Sequence, residues 1–370
     1  MKKRISIVEL YHHHEVVRVL AKLLSTKYDV TIFAEKKVLN QLGNLSARYI
    51  TKQTNETEKS FLRKHLHTMN QADIILFTTL VKFPKFYSQL SFRPTTLLLI
   101  HDGNYFLRPN QTIKIQNIKG ALRWLKFKIN REAYYRRRLL HHFSYITFAD
   151  NFIAHTLSKE IKQLNINVLD ALPLAYNEGL SQKPKHNKPI IVIPGSVNKN
   201  RNYRLVYKAF QRIVSRIDNP IELVLLGNAS SNFGQKIGAL FHHLDPKRIK
   251  VTSFSSEISQ EVYDEYLSKS SLAIIPIKQE FIGGIFKEEY GKTKITGSVN
   301  DVLRFGIPTL ISHSYPTPAD LFIPFQNPEA LATLILQWLD HQESFGLSFC
   351  SKDYSFQKMA KILSSIIEET

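Results

Sequence analysis

The sequence predicts an α/β protein made of two doubly wound domains, each built on a parallel sheet. Three observations carry this. Short apolar runs alternate with helical patterns along the whole chain. The runs are continuous rather than alternating, as strands covered on both faces must be. The series breaks once, in a polar stretch rich in Asn, Gln, Lys, Gly and Pro over residues 176–188, and then begins again.

The first strand is expected at residues 5–10. A helix follows at 14–24, where Val17, Leu20, Leu23 and Leu24 keep helical spacing. Further strands are expected at 28–34, 72–78, 95–100, 145–149 and 167–172. The second series opens with a strand at 190–194 and a helix over about 203–214. Strands at 221–226 and 249–254, a helix at 260–268 and a strand at 272–277 come next. A helix at 299–305, a strand at 308–312 and helices at 328–342 and about 355–368 complete it. The expected domains are 1–175 and 190–350, joined by a linker over 176–189, with the helix in 351–370 crossing back to the first domain. In such a pair the ligand site is expected in the cleft, at the carboxyl ends of the strands.

Composition narrows the class. The 370 residues are 43% hydrophobic and 22% charged, which is globular rather than disordered. The single cysteine, Cys350, excludes a disulfide framework or a Cys-rich zinc site and fits a cytoplasmic protein. Met1-Lys2-Lys3-Arg4 begins like a signal peptide, but its apolar run stops at Glu9, and no stretch reaches transmembrane length. The net charge of +19 calls for a partner or a location to explain it. G-x-G-x-x-G after the first strand, the Walker G-x-x-x-x-G-K-[ST] and G-x-S-x-G are all absent, against NAD enzymes, P-loop ATPases and α/β-hydrolases.

Two segments of the second series suit an anionic ligand. In Ile193-Pro194-Gly195-Ser196-Val197-Asn198-Lys199-Asn200-Arg201 a strand runs into a Gly-Ser turn, then a loop with two cations, then a helix. Backbone N–H groups beside Lys199 or Arg201 would hold a diphosphate. The plainer reading is a polar βα loop. In Lys292-Thr293-Lys294-Ile295-Thr296-Gly297-Ser298-Val299-Asn300-Asp301, Ser298-x-x-Asp301 reads as a capping box, so that Asp301 is a helix cap. The helix start at Thr296–Ser298, with Lys292 and Lys294 before it, is a second anion site, or else a solvated loop.

Together with Leu223-Val224-Leu225-Leu226-Gly227, Glu261…Tyr266…Ala273…Pro276 and Gly306-x-Pro308, these segments form an ordered set. The set resembles the nucleotide-sugar domain of GT-B fold glycosyltransferases, close to the large retaining family 4. The resemblance covers about 190–340 well and the first domain loosely. It implies two Rossmann-like domains facing a cleft and a nucleotide diphosphate-sugar donor, UDP or GDP first. It also implies donor contacts from Gly195, Ser196, Lys199, Arg201, Gly227, Glu289, Lys294, Thr296, Gly297, Ser298 and Asp301. The family's Glu-x7-Glu pair is not present, because Thr293 and Asp301 stand at its two positions. Glu288 and Glu289 lie just upstream and offer a carboxylate.

In the first domain, Tyr11-His12-His13-His14-Glu15 and His101-Asp102-Gly103-Asn104 each follow a strand. His14, Glu15, His101 and Asp102 are candidates for the base that takes a proton from an acceptor hydroxyl. A helix cap for the histidines and an Asp-Gly turn for Asp102 are the alternatives. No ligand set at useful spacing points to a metal.

Between Lys114 and Arg138 there are nine Lys or Arg against one acid, Glu132, interleaved with aromatic and aliphatic residues. A basic amphipathic helix of this kind suits an anionic membrane surface, with Arg123, Trp124, Lys126, Phe127 and Lys128 facing it. A basic surface helix packed on its own domain is the alternative. Nucleic acid is not favoured, since no helix-turn-helix, finger or RNP-like pattern accompanies the charge. The expectation is a metal-independent glycosyltransferase at the inner face of the membrane, acting on a lipid-linked or polysaccharide acceptor in bacterial surface-polysaccharide synthesis. A nucleotide-sugar 2-epimerase and a non-catalytic scaffold of the same fold are its rivals.

Overall fold

The computed structural model describes residues 2–178, 188–312, 315–316, 321–341 and 351–370. Most of the expected linker (179–187) and Cys350 lie outside them, as does Gln342 at the end of an expected helix. The chain divides into two compact units. The first comprises Met1–Leu174, Phe281–Ile295 and Phe356–Thr370; the second comprises Ala175–Glu280 and Thr296–Ser355.

In the first unit seven strands make one parallel sheet: β1 (Arg4–Glu9), β2 (Asp29–Glu35), β3 (Arg48–Lys52), β4 (Ile74–Phe77), β5 (Thr95–Ile100), β6 (Tyr145–Phe148) and β7 (Val168–Leu169). Their order is β3-β2-β1-β4-β5-β6-β7, with all pairs parallel. The chain runs outward from β1 on one side and then on the other, as in doubly wound sheets. Ile7, Ile32, Leu76 and Leu98 are fully buried, which is why these runs lack polar alternation. The helix Phe356–Glu368 packs against the helix His14–Leu24, and Lys27 pairs with Glu368.

The second unit has β8 (Ile190–Pro194), β9 (Ile221–Asn228), β10 (Ile249–Phe254) and β11 (Leu272–Ile275). A hairpin follows, β12 (Glu280–Gly283) and β13 (Phe286–Glu289), and then β14 (Thr309–Ser312) and β15 (Phe322–Phe325). The six-stranded parallel sheet runs β10-β9-β8-β11-β14-β15. β15 carries Pro324, which an edge strand tolerates because one side needs no ladder donor. The core on one face joins Ile191, Leu223, Phe210, Phe241 and Trp338.

The hairpin departs from the contiguous span 190–350 expected for the second domain: Phe281–Ile295 belongs to the first unit. The reason is an apolar anchor. Phe127, Ile285 and Phe286 form a buried cluster, with Tyr105 and Ile113 against it. Lys114 N donates to Ile285 O (2.8 Å) and Lys287 N to Thr112 O (2.8 Å). The buried Arg136 guanidinium lies 3.3 Å from the Tyr105 ring centre and 4.8 Å from that of Phe286. This corrects one expectation: Phe127 is 3% exposed and faces protein rather than a membrane. Among the described residues, no helix is long and apolar enough to cross a membrane.

Candidate active site

At the carboxyl ends of β1, β4 and β5, the first unit gathers a cluster of ionisable groups, among them the buried Glu9 and Glu288. Glu9, the last residue of β1, is fully buried. Its carboxylate accepts from Tyr11 N (2.6 Å), His12 N (3.2 Å) and Thr78 Oγ1 (2.9 Å). Those bonds fix the turn after β1 and set His13 against His101, their rings stacked 4.4 Å apart. His13, not His14, therefore meets the end of β5. His14 turns toward Glu15, with Nδ1 3.5 Å from its carboxylate.

Burial alone would lower the His13 pKa, but its 3.2 Å bond to Glu15 and the charges of Glu15 and Glu9 outweigh that and raise it. Desolvation works against the Glu15 charge, yet the bond from His13 and the charges of both histidines hold its pKa down at about 2. Burial, then the neighbouring His13, push His101 down to about 3. His101 is thus neutral at ordinary pH, with Nε2 2.9 Å from Thr78 O. It orients the cluster and is a poor proton acceptor there.

Asp102 pairs with Lys294, which the Phe281–Ile295 segment brings in. Desolvation would lower the Lys294 pKa, but Asp102 raises it. Glu288, from the same segment, is 1% exposed and accepts from Tyr105 N (2.8 Å) and Asn104 N (3.1 Å). Burial, and then the charge of Asp102, raise its pKa to about 7. Gly103 N donates to Thr293 O (2.8 Å), which closes the loop onto the hairpin. Lys294, expected as a donor contact, thus pairs with the candidate base Asp102 within the first unit. Glu289 pairs with Lys292 (2.9 Å). Glu288 is the group that sequence reasoning undervalued, because nothing local shows that it would be buried.

The second unit builds a different site at the ends of β8 and β9. Gly195 has φ +94°, a conformation that side chains disfavour, and an added Cβ would strike the Arg201 guanidinium. Gly227 lies beneath it: a Cβ there would sit 2.5 Å from Gly195 C and O. Gly227 therefore shapes the turn by letting β9 approach it. Arg201 Nη2 donates to Ser298 Oγ (2.7 Å), and Ser298 Oγ donates to Pro194 O (2.9 Å). Arg201 Nη1 is buried and has no hydrogen-bond partner among the described residues. Ser196 and Lys199 are exposed at this turn.

The capping box is not realised. The helix starts at Gly297, two residues before its expected start, with Thr296 at the cap and no side-chain cap bond. Ser298 is inside the first turn because its hydroxyl bridges Arg201 and the end of β8. Thr296 N donates to Tyr315 OH (3.3 Å), and space beside Gly297 is open. Asp301 accepts from the buried Tyr263 hydroxyl (2.8 Å). Farther along, Arg304 is 3% exposed and binds Asp264 (2.9 Å) and Glu178 (3.0 Å). No spacing rule marked that group.

What the second-unit turn can do is hold an anion. It offers first-turn N–H groups of a nine-residue helix, the positive end of its dipole, and one unused guanidinium nitrogen. Among the described residues, no group of three or more His, Cys, Asp or Glu side chains is placed to hold a metal ion.

No family model matches the chain, and no curated protein matches it. Solved structures do. A glycosyltransferase from Rickettsia africae superposes with a TM-score of 0.64 at 14% identity, covering 100% of both chains. Anabaena HepE, in complex with UDP and glucose, gives 0.63 at 12% identity, again over 100% of both. A UDP-N-acetylglucosamine 2-epimerase gives 0.55 at 14% identity over 100% of this chain and 97% of the other. The chain has the GT-B fold, two Rossmann-like α/β domains, as its sequence pattern implied.

Proposed function

We propose that this chain is a glycosyltransferase. It moves a sugar from a nucleoside diphosphate-sugar to a hydroxyl of a lipid-linked or polysaccharide acceptor, as in bacterial surface-polysaccharide synthesis. It works in the cytoplasm, peripherally bound at the inner face of the membrane. The observation that carries the donor half is Arg201, whose buried Nη1 has no partner among the described residues while its Nη2 is tied to Ser298. A buried, unsatisfied cation is costly to maintain and is satisfied by a diphosphate oxygen. The presence of UDP in the HepE complex makes UDP the first donor nucleotide to try, with GDP next.

In this reading the acceptor oxygen attacks the anomeric carbon. The bond from that carbon to the diphosphate oxygen breaks, and the electron pair leaves with the diphosphate. Arg201 and the helix start at Thr296–Ser298 stabilise the charge that develops there. The acceptor's proton passes to a carboxylate of the first unit. Asp102 is the candidate, with Glu288 beside it and Lys294 keeping its position.

The test is thermal stability against UDP, GDP, CMP, dTDP, ADP and NAD. A ligand that binds only the folded chain stabilises it by mass action, about 2.7 kcal/mol at a hundred times Kd. UDP or GDP is expected to raise Tm, and Arg201→Ala to weaken that nucleotide roughly tenfold to hundredfold while leaving the fold intact. No shift with any nucleotide overturns the reading. The 2-epimerase neighbour supports a second reading. Conversion of a UDP-sugar to its 2-epimer with no acceptor present would favour that one.

A further inference from the structure

The helix Ile118–Ile129 has two apolar faces. One is occupied: Phe127 and Gly120 are its buried residues. The other is not. Ile118, Leu122, Leu125 and Ile129 are 81, 56, 48 and 69% exposed. Their spacing of four, three and four residues puts them on a single stripe. At roughly 100° per residue, Lys119 and Lys126 border the stripe on one side and Lys128 on the other. Trp124, named from the sequence as a membrane contact, lies roughly 130° from the centre of this stripe, toward the buried face of Phe127 and Gly120.

The stripe leads into a cavity. Ile129 belongs to both, and the cavity, of about 740 Å3, is bounded by residues around 81–89 and 129–135. Five of its lining residues are cations, Lys59, Arg63, Lys82, Lys85 and Arg131, against one acid, Glu132. Glu132 is already bound by Arg136 Nη2 (2.9 Å) and does not neutralise them. All five cations rest over aromatic rings, Lys82 over Tyr11 (6.0 Å) and Arg131 over Tyr134 (5.3 Å) among them. Lys59 is 4.7 Å from the Phe83 ring centre, Arg63 5.2 Å from Phe86 and Lys85 5.5 Å from Tyr135. The rim holds two non-glycine residues in the left-handed region, Phe83 (φ 56°) and Arg131 (φ 50°). Such backbone costs energy and tends to mark sites that use it.

We propose that the cavity takes the phosphate group of an anionic lipid while the stripe enters the interfacial layer of the bilayer. Charge complementarity names the occupant. Lysines bordering an apolar stripe suit a surface that is apolar within and anionic at its headgroups. A duplex would set its phosphates against Leu122 and Leu125. A soluble phosphate would use the cavity and leave the stripe without a role. The proposal deepens the membrane part of the function above and stands apart from glycosyl transfer, since binding can be read without turnover.

The experiment is co-sedimentation of the full chain with phosphatidylcholine vesicles, with and without phosphatidylglycerol. Expected is binding only to the anionic vesicles, weakened by salt. Leu122→Glu with Leu125→Glu, and separately Lys82→Glu with Lys85→Glu, should each reduce binding about tenfold or more. Both pairs of changes lie at exposed positions and should keep Tm and any nucleotide-induced shift. No nucleotide shift in the unsubstituted chain, with vesicle binding intact, would sink the transferase reading alone. Three results overturn the lipid proposal. One is unchanged vesicle binding in both variants. Another is calorimetric binding of inorganic phosphate that only the lysine variant loses, with no vesicle binding. The third is a dimer, seen by size exclusion, that the leucine variant dissolves in the absence of vesicle binding; a second copy would then cover the stripe.

Discussion

Both units place a cluster of ionisable groups at the carboxyl ends of their central strands, and the two clusters treat charge in opposite ways. In the first unit's cluster charge is closed. Glu15 meets His13, Asp102 meets Lys294, and Glu9 and Glu288 each receive two or more N–H or O–H donors. In the second unit Arg201 is satisfied through one nitrogen and left open at the other. A closed cluster can carry a proton or hold a loop, whereas an open cation waits for an anion. The difference is one of pairing rather than of residue type, and pairing is what a list of Lys, Arg, Asp and His in a sequence does not record.

The largest effect expected from breaking this contrast is at Glu288, the acid that the first cluster holds half-protonated near neutrality. An ordinary glutamate loses its proton near 4.5, and this one near 7. Between those values the folded state binds more protons than the unfolded one, so stability should fall as pH rises. The fall amounts to about 3 kcal/mol at most and levels off above pH 7. Glu288→Gln should flatten that slope. Urea unfolding of both proteins from pH 4 to 8 checks it, and parallel slopes would mean that the carboxyl is not shielded as its surroundings indicate.

A smaller effect is expected on the open side. Gly227→Ala adds a methyl where Gly195 backbone is 2.5 Å away. Overpacking of this kind costs about 1–3 kcal/mol. It should also displace the turn that holds Arg201, so nucleotide affinity and Tm should fall together. A fall in Tm with affinity unchanged would separate Arg201 from the turn and weaken its assignment as a donor contact.

Much of this was legible in the sequence. The long apolar runs that became β1, β5, β8 and β9 are buried on both faces, and continuous burial leaves a continuous signal. β3 has a charged residue at each end, and β15 carries a proline, so neither produces such a run. The turn at Gly195 could be read because its glycine and cations are adjacent in sequence. The partners of Lys294 could not. Asp102 is 192 residues away, and the hairpin reaches it through Phe127, Ile285 and Phe286. In a basic amphipathic helix an aromatic residue has the same periodicity whether it faces lipid or protein, and Phe127 was assigned to the wrong one. Three successive histidines likewise give no sign of which will stack on His101. Local pattern fixes period and polarity, while the partner of a face is a long-range fact.

The smallest predicted effect concerns the ion pair that joins the hairpin to the end of β5. Lys294 and Asp102 are 17 and 37% exposed, whereas Arg304 in the second unit is 3% exposed between two acids. Solvent screens the first pair more, and the Gly103–Thr293 and Glu288 bonds hold the same loop without it. A double-mutant cycle with Asp102→Asn and Lys294→Met should therefore give a coupling of about 0.5–1 kcal/mol, while Arg304→Ala alone should cost about 3 kcal/mol or more. A coupling of about 3 kcal/mol, the size expected for a buried pair, would mean that Asp102 is shielded from solvent. Asp102 would then be a structural anchor, and the proton-accepting role would pass to Glu288.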